Sequence, residues 1–93
     1  MSEAASIVAT AKPRVSAKFR LQWEEAQQSW VLLYPEGMVK LNASAGEIMK
    51  RCDGSRSVDE LVAELEQAFD TRGLHADVAR FLDMARAQHW IEV

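Results

Sequence analysis

The fold is decided by residues 30–41, WVLLYPEGMVKL, in which two apolar stretches flank a turn sequence. The continuous apolar run Trp30–Tyr34 is typical of a strand that is covered on both faces or lies at the centre of a small sheet. Pro35 presets the first dihedral angle of a turn, and the alternation over Met38–Leu41 indicates a returning strand. The segment therefore predicts a β-hairpin.

A further strand is predicted upstream of this hairpin. Phe19, Leu21 and Trp23 alternate with polar residues, which is the period of a half-buried strand. The polar residues 24–29 predict the connecting turn. We therefore expect three antiparallel strands in a meander, with Val31–Tyr34 in the middle.

The period becomes helical after the last strand. A first helix is predicted from Ala45 to Cys52, with Asn42 or Ser44 as its cap. A second helix begins at the capping box Ser57-x-x-Glu60, and its expected buried face consists of Val58, Leu61, Val62, Leu65 and Phe69. A third helix follows Gly73, with an expected buried face of Leu74, Val78, Phe81, Leu82 and Ala85. The predicted fold class is α+β, winged helix-turn-helix-like: a three-stranded antiparallel sheet followed by a three-helix bundle.

Composition limits the domain organisation and the environment. The chain has 93 residues, a net charge of −3 and no apolar run near the ~20 residues that span a bilayer. The single Cys52 fits a reducing compartment, so we expect a cytoplasmic protein without membrane contact. Residues 1–17 are rich in Ala and Ser and predict a flexible N-terminal arm before one domain over residues 18–93. The other interpretation is an arm or strand exchanged with a second copy in a homodimer.

The sequence contains no set of residues that predicts an enzyme. His75 and His89 are 14 residues apart on what reads as one helix, which separates them by roughly 21 Å and prevents them from sharing a metal ion. Cys52 belongs to an apolar helical stripe, which favours a buried, inert thiol over a reactive one. We therefore predict no catalysis, no cofactor and no metal site.

Nucleic-acid binding is the alternative function that the winged-helix-like order suggests. The second helix carries five acidic residues and neither Lys nor Arg between Val58 and Asp70. The third helix balances Asp77 and Asp83 against Arg80 and Arg86. A recognition helix should present net positive charge to phosphates. The charge pattern therefore speaks against nucleic acid as a partner, and a winged-helix DNA-binding regulator domain is kept as the alternative.

Peptide binding is the function that the strand order suggests. If Val31–Tyr34 is central, Met38–Leu41 has one open edge, which can accept an extended peptide as an added strand. The third helix can supply selective side chains beside this edge, namely Asp77, Arg80, Phe81 and Met84. The other interpretation is an ordinary edge that Lys40 protects from aggregation, beside a solvated helix surface, and the pattern alone favours it.

Beyond these patterns, residues 19–93 resemble the PqqD family. The resemblance rests on six segments in the same order and spacing: FRLQWE (19–24), VLLYPEGMVKLN (31–42), RCDG (51–54), SVD (57–59), FL (81–82) and WI (90–91). They span about four fifths of the chain. The resemblance reverses the preference for an ordinary edge.

The resemblance implies a peptide chaperone of pyrroloquinoline quinone (PQQ) biosynthesis, a recognition element for ribosomally made, modified peptides (a RiPP recognition element). Such a protein binds the precursor peptide PqqA and presents it to the radical-SAM enzyme PqqE. In related modules the leader peptide lies between the third strand and the third helix. Carried over to this chain, the implied peptide-binding residues are Met38, Val39, Lys40, Leu41, Asp77, Arg80, Phe81 and Met84.

Overall fold

The structure, a computed structural model, describes residues 7–93. In chain order its elements are β1 (Arg14–Val15), β2 (Arg20–Glu24), β3 (Ser29–Tyr34), β4 (Gly37–Lys40), α1 (Ala43–Met49), α2 (Val58–Ala68), α3 (His75–Ala87) and β5 (Ile91–Glu92). Strands β2, β3 and β4 form an antiparallel sheet in that order, and β1 pairs with β5. The predicted α+β order of a three-strand meander followed by three helices is confirmed. None of the helices in the described range is long and apolar enough to cross a membrane.

The register of the meander puts one apolar face of the sheet against the helices. Leu32 lies opposite Leu21 on one side and Val39 on the other, and all three belong to or pack on the hydrophobic core. Trp30 lies opposite Trp23, and their rings meet edge to face at a centroid distance of 5.6 Å. Directly opposed residues share a face of the sheet. Strand β3 is therefore the central strand, as its apolar run predicts.

Helix α1 lies close to the sheet because Gly46 has no side chain. A Cβ atom at Gly46 would lie 2.7 Å from Cδ1 of Trp30, which is closer than carbon atoms tolerate. The helix begins at Asn42, whose side chain accepts a hydrogen bond from the Ala45 N–H at 2.8 Å. Of the two predicted cap candidates, Asn42 and Ser44, Asn42 is therefore the cap.

The start of α2 is stabilised by two parts of the chain. The predicted capping box is present, with the Ser57 side chain bound to the Glu60 N–H and the Glu60 side chain bound to the Ser57 N–H. The next two N–H groups donate to carbonyls of the N-terminal segment, Val58 to Ala11 at 2.9 Å and Asp59 to Ala9 at 3.1 Å. The first N–H groups of a helix have no partner within it. The N-terminal segment therefore satisfies donors that α2 cannot satisfy itself.

Residues 7–17, which we call the strap, correct the prediction of a flexible arm over residues 1–17. Ile7 is buried in the core and its N–H donates to Asp83 Oδ1 at 2.6 Å. Pro13 is fully buried, and β1 pairs with β5. The folded unit therefore includes residues 7–17 and does not begin at residue 18. The reason is tertiary: small residues supply backbone carbonyls to α2, which composition does not show. The remaining part of the predicted arm, residues 1–6, lies outside the described residues.

We expect Gly46→Ala to lower the free energy of unfolding by about 1–3 kcal/mol, because the new methyl group would overlap the Trp30 ring and force the helix or the ring to move. Urea unfolding measures the change. Gly37→Ala is the matched control, since its Cβ would meet no atom closer than 3.4 Å. Equal losses in the two variants would contradict the close approach of α1 to Trp30.

We expect removal of residues 1–17 to lower the free energy of unfolding by at least about 3 kcal/mol. The deletion removes the buried Ile7 side chain from the core. It also leaves the N–H groups of Val58 and Asp59 without their carbonyl partners. Thermal and urea unfolding measure the effect, and a chain that lacks only residues 1–5 is the control because it retains the strap. A chain starting at Lys18 that is as stable as this control would show that the strap does not support the fold.

Candidate functional site

A groove of about 550 Å³ lies between the end of β4 and α3. Its floor consists of buried core side chains, namely Leu41, Ala45, Ile48, Leu65 and Val78. Val39 and Lys40 line it from β4, and α3 contributes Asp77, Phe81 and Met84. This volume lies in the usual range for ligand sites. We call it the β4–α3 groove.

The groove brings together most of the peptide-binding residues that the sequence analysis selected. Its lining contains Val39, Lys40, Leu41, Asp77, Phe81 and Met84. Met38 and Arg80 are not part of the lining. The two elements that the sequence places beside each other, the last strand of the meander and the third helix, thus face a common cavity. Contact with a peptide remains a prediction for all eight residues.

Met38 and Arg80 lie outside the groove for different geometric reasons. Met38 is opposite Leu33, and because neighbouring strand residues point to opposite faces, its side chain lies on the sheet face away from the helices. Met38 is 47% exposed. The Arg80 side chain is 75% exposed and forms an ion pair with Asp77 at 3.1 Å on the outer surface of α3.

The free edge of β4 borders the groove. The Leu41 N–H donates to the Trp30 carbonyl at 2.9 Å, which fixes the alternation of the β3–β4 ladder. In an antiparallel pair, residues whose backbone groups face the partner alternate with residues whose groups face away. The N–H and C=O groups of Met38 and Lys40 therefore point away from β3. Within residues 7–93, β4 pairs with no second strand.

Part of the lining was not assigned to a site from the sequence. These residues are Asn42, Ser44, Phe69, Thr71, Leu74 and Trp90. Phe69 was expected on the buried face of α2, but it is 50% exposed. The reason is that α2 ends at Ala68 and Phe69 is its C-cap, so no further helical turn follows to cover the ring. The turn that follows, with left-handed residues at Asp70 and Gly73, is the signal that could have placed it.

The thiol of Cys52 lies in the core and not in the lining of the groove. Cys52 is buried, as predicted, and its Sγ donates to the Ile48 carbonyl at 3.3 Å. Burial, together with the nearby Asp53 carboxylate, raises the pKa of this thiol to about 12. No cluster of three His, Cys, Asp or Glu side chains that could hold a metal ion occurs in the described part of the chain.

The two histidines do not share a helix, which corrects the sequence prediction. His75 is the first residue of α3, whereas His89 follows the helix end at Ala87 and has a left-handed φ of 65°. His75 lies 3.7 Å from the Asp59 carboxylate at the start of α2. Neither histidine lines the groove.

The segment that follows α1 is fixed by an ion-pair network. Arg51 contacts Glu47 at 2.8 Å and Glu64 at 3.3 Å, and Arg56 contacts Glu64 at 2.7 Å and Asp53 at 3.1 Å. The hydrogen bond from Arg56 lowers the pKa of Glu64, and that from Arg51 lowers the pKa of Glu47. The network joins the end of α1 to α2 and supports a structural role for residues 51–56.

Comparison with known proteins identifies the family. A sequence model of the family described as "Coenzyme PQQ synthesis protein D (PqqD)" matches residues 29–91, which contain every residue that lines the groove. The chain belongs to the PqqD family. Two similar relatives carry the name PqqA binding protein. The one from Azotobacter vinelandii (strain DJ) is 50% identical over 82 residues, covering 87% of this chain and 89% of the relative. The one from Pseudomonas aeruginosa (strain UCBPP-PA14) is 52% identical with the same coverage.

Two solved structures of PqqD proteins share the fold. The solution NMR structure of the PqqD truncation of Methylobacterium extorquens PqqCD superposes with a TM-score of 0.79 at 26% identity, covering 98% of this chain and 99% of that one. It is described as a functional and stand-alone RiPP recognition element. The crystal structure of PqqD from Xanthomonas campestris superposes with a TM-score of 0.57 at 28% identity, covering 94% and 99% of the two chains. The family and fold predicted from residues 19–93 are therefore confirmed.

Proposed function

We propose that this PqqD-family chain is a peptide chaperone that binds the precursor peptide PqqA as an added strand along β4. The observation that carries the proposal is the free backbone edge of Met38 and Lys40 beside an apolar groove. The names of the Azotobacter and Pseudomonas relatives, PqqA binding protein, support this peptide as the ligand. The description of the Methylobacterium protein as a RiPP recognition element supports the same class of function.

The geometry of strand addition connects the edge to the groove. A peptide on this edge exchanges hydrogen bonds with the outward backbone groups of Met38 and Lys40. Its side chains then alternate between the two faces of the extended sheet. Those on the face of Val39 and Leu41 lie over the groove, since both residues line it. The backbone bonds accept many sequences, and the groove selects among side chains.

The free-energy terms of peptide binding indicate that the groove contributes most of the affinity. Ordering one peptide residue costs about 1–2 kcal/mol in backbone entropy. A backbone hydrogen bond returns only about 1 kcal/mol in net free energy. Burial of one large apolar side chain contributes about 1.5–3 kcal/mol. A peptide held by the edge alone would therefore bind weakly, and apolar side chains in the groove must offset its ordering.

In this proposal the chain does no bond chemistry and delivers the peptide to the radical-SAM enzyme PqqE in the cytoplasm. A peptide fixed as a strand meets the enzyme with less freedom, and binding of the carrier to the enzyme makes the encounter effectively intramolecular. The modified peptide must leave afterwards, so the interface should be at or below the ~1,200 Å² of transient complexes.

A homodimer formed by exchange of the strap would replace the β1–β5 pairing within one chain by the same pairing between two chains.

We expect Lys40→Pro to weaken binding of the precursor peptide by about tenfold or more, because proline removes one outward N–H and obstructs the edge. Lys40→Ala removes the same side chain and keeps the N–H, so it should bind the peptide within about threefold of the wild type. Calorimetric titration with the synthetic precursor measures both affinities.

The two Lys40 variants should unfold at similar temperatures, because the Lys40 N–H faces away from β3 and neither change removes a bond of the sheet. Wild-type peptide affinity in both the proline and the alanine variant, both folded, would contradict strand addition at β4. Equal losses of affinity in both would assign the effect to the lysine side chain and contradict the proposed backbone contact.

A further inference from the structure

The end of α2 places an unexpected aromatic side chain at the groove. Phe69 is 50% exposed and lines the groove together with Met84, which is 40% exposed. Phe81 and Trp90, whose ring centroids are 6.4 Å apart, line the same cavity. Single exposed apolar side chains are common on protein surfaces. Here several apolar side chains line one cavity, and exposed apolar groups gathered in this way are typical of an interaction site.

Hydrogen bonds on both sides of Phe69 fix its backbone. Its N–H donates to the Leu65 carbonyl at 3.0 Å, and its carbonyl accepts from Thr71 Oγ1 at 2.9 Å. The turn that follows is held by Glu66, which accepts from the Thr71 N–H through its carbonyl and from the Leu74 N–H through its carboxylate. The backbone that carries the ring is therefore held beside the groove, which reduces the backbone entropy lost on binding.

We propose that Phe69 is a specificity-determining residue of the peptide site and requires a bulky apolar side chain in the bound peptide. This inference rests on the proposed function, since its ligand is the precursor peptide held on β4. Side chains on one face of an added strand are about 6.6–6.8 Å apart. A groove of about 550 Å³ accepts more than one of them. One lies beside Val39 and Leu41, and an aromatic or long aliphatic side chain of the peptide extends to Phe69.

In this proposal the end of α2, which lies outside β4 and α3, selects the peptide side chain. Polar groups at the groove are few: Lys40 and Asp77 carry the charges of its lining, and neither is on α2. The α2 end of the groove, with Leu65, Phe69 and Leu74, is apolar except for Thr71. A charged or small peptide side chain at this end would leave the Phe69 ring exposed and forfeit its burial.

The test compares variants at Phe69 by calorimetric titration with the synthetic precursor peptide. Phe69→Ala should weaken binding about 5- to 30-fold, the loss expected from removing a large apolar contact. Phe69→Leu should bind within about threefold of the wild type, whereas Phe69→Gln, which is polar, should lose affinity as the alanine variant does. Val93→Ala is the matched control, because Val93 is 60% exposed and lies outside the groove lining.

An alanine scan of the peptide identifies the partner side chain. One bulky apolar peptide residue should lose affinity on substitution in wild-type protein, and the same substitution should cost at least threefold less in Phe69→Ala. Thermal unfolding checks that the variants fold. If Phe69→Ala does not fold, the peptide scan is carried out with Phe69→Leu and decides whether Phe69 contacts a bulky apolar peptide residue. Unchanged affinity of folded Phe69→Ala and Phe69→Gln would overturn this inference alone. A wild-type protein that does not bind the precursor would overturn the proposed function instead.

Discussion

The candidate site depends on one feature of the sheet: in the described part of the chain β4 pairs with β3 alone, so that the backbone groups of Met38 and Lys40 face outward beside a groove. Sheet edges are a liability, and proteins commonly protect them with short strands and lysines. Strand β4 is short and contains Lys40, so it has both protections. What distinguishes it is the apolar cavity along its inner face, which an ordinary protected edge does not need.

Within residues 7–93, the elements around this edge and its groove leave both uncovered. The C-terminal strand β5 pairs with β1 in a separate two-stranded sheet and does not cover β4. The strap joins α2 and α3 through Ala9, Ala11 and Ile7, and the Arg51 and Arg56 ion pairs join α1 to α2. Because the groove floor is also the hydrophobic core, its shape is fixed by folding. The ordering cost of binding therefore falls mainly on the peptide.

Local patterns were sufficient for the elements whose signals are local. The apolar run Trp30–Tyr34 and the alternation after it predicted the hairpin, and Ser57-x-x-Glu60 predicted the capping box that the structure contains. The strap was missed because its stabilising contacts are backbone hydrogen bonds to residues more than 40 positions away, such as Ala11 to Val58. Amino-acid composition does not predict backbone hydrogen bonds between distant segments.

The site between β4 and α3 was predicted from the resemblance to the family, since the strand pattern alone favoured an ordinary edge, and its lining was predicted less well. Strand alternation already separates Met38 from Val39 and Leu41, so its place on the opposite sheet face follows from the sequence. Phe69 could not be placed this way, because its exposure depends on where α2 ends, at Ala68, with no further helical turn to cover the ring. Helix ends are set by caps and turns rather than by the apolar period.

Amide hydrogen exchange at β4 tests the central claim most directly. In the free protein the N–H groups of Met38 and Lys40 face solvent and should exchange rapidly, whereas the Leu41 N–H is bound to Trp30. Addition of the precursor peptide should slow exchange at Met38 and Lys40 by at least about tenfold, because each outward N–H gains a strand partner. Unchanged exchange at both residues with the peptide bound, or protection confined to the β2 edge, would contradict strand addition at β4.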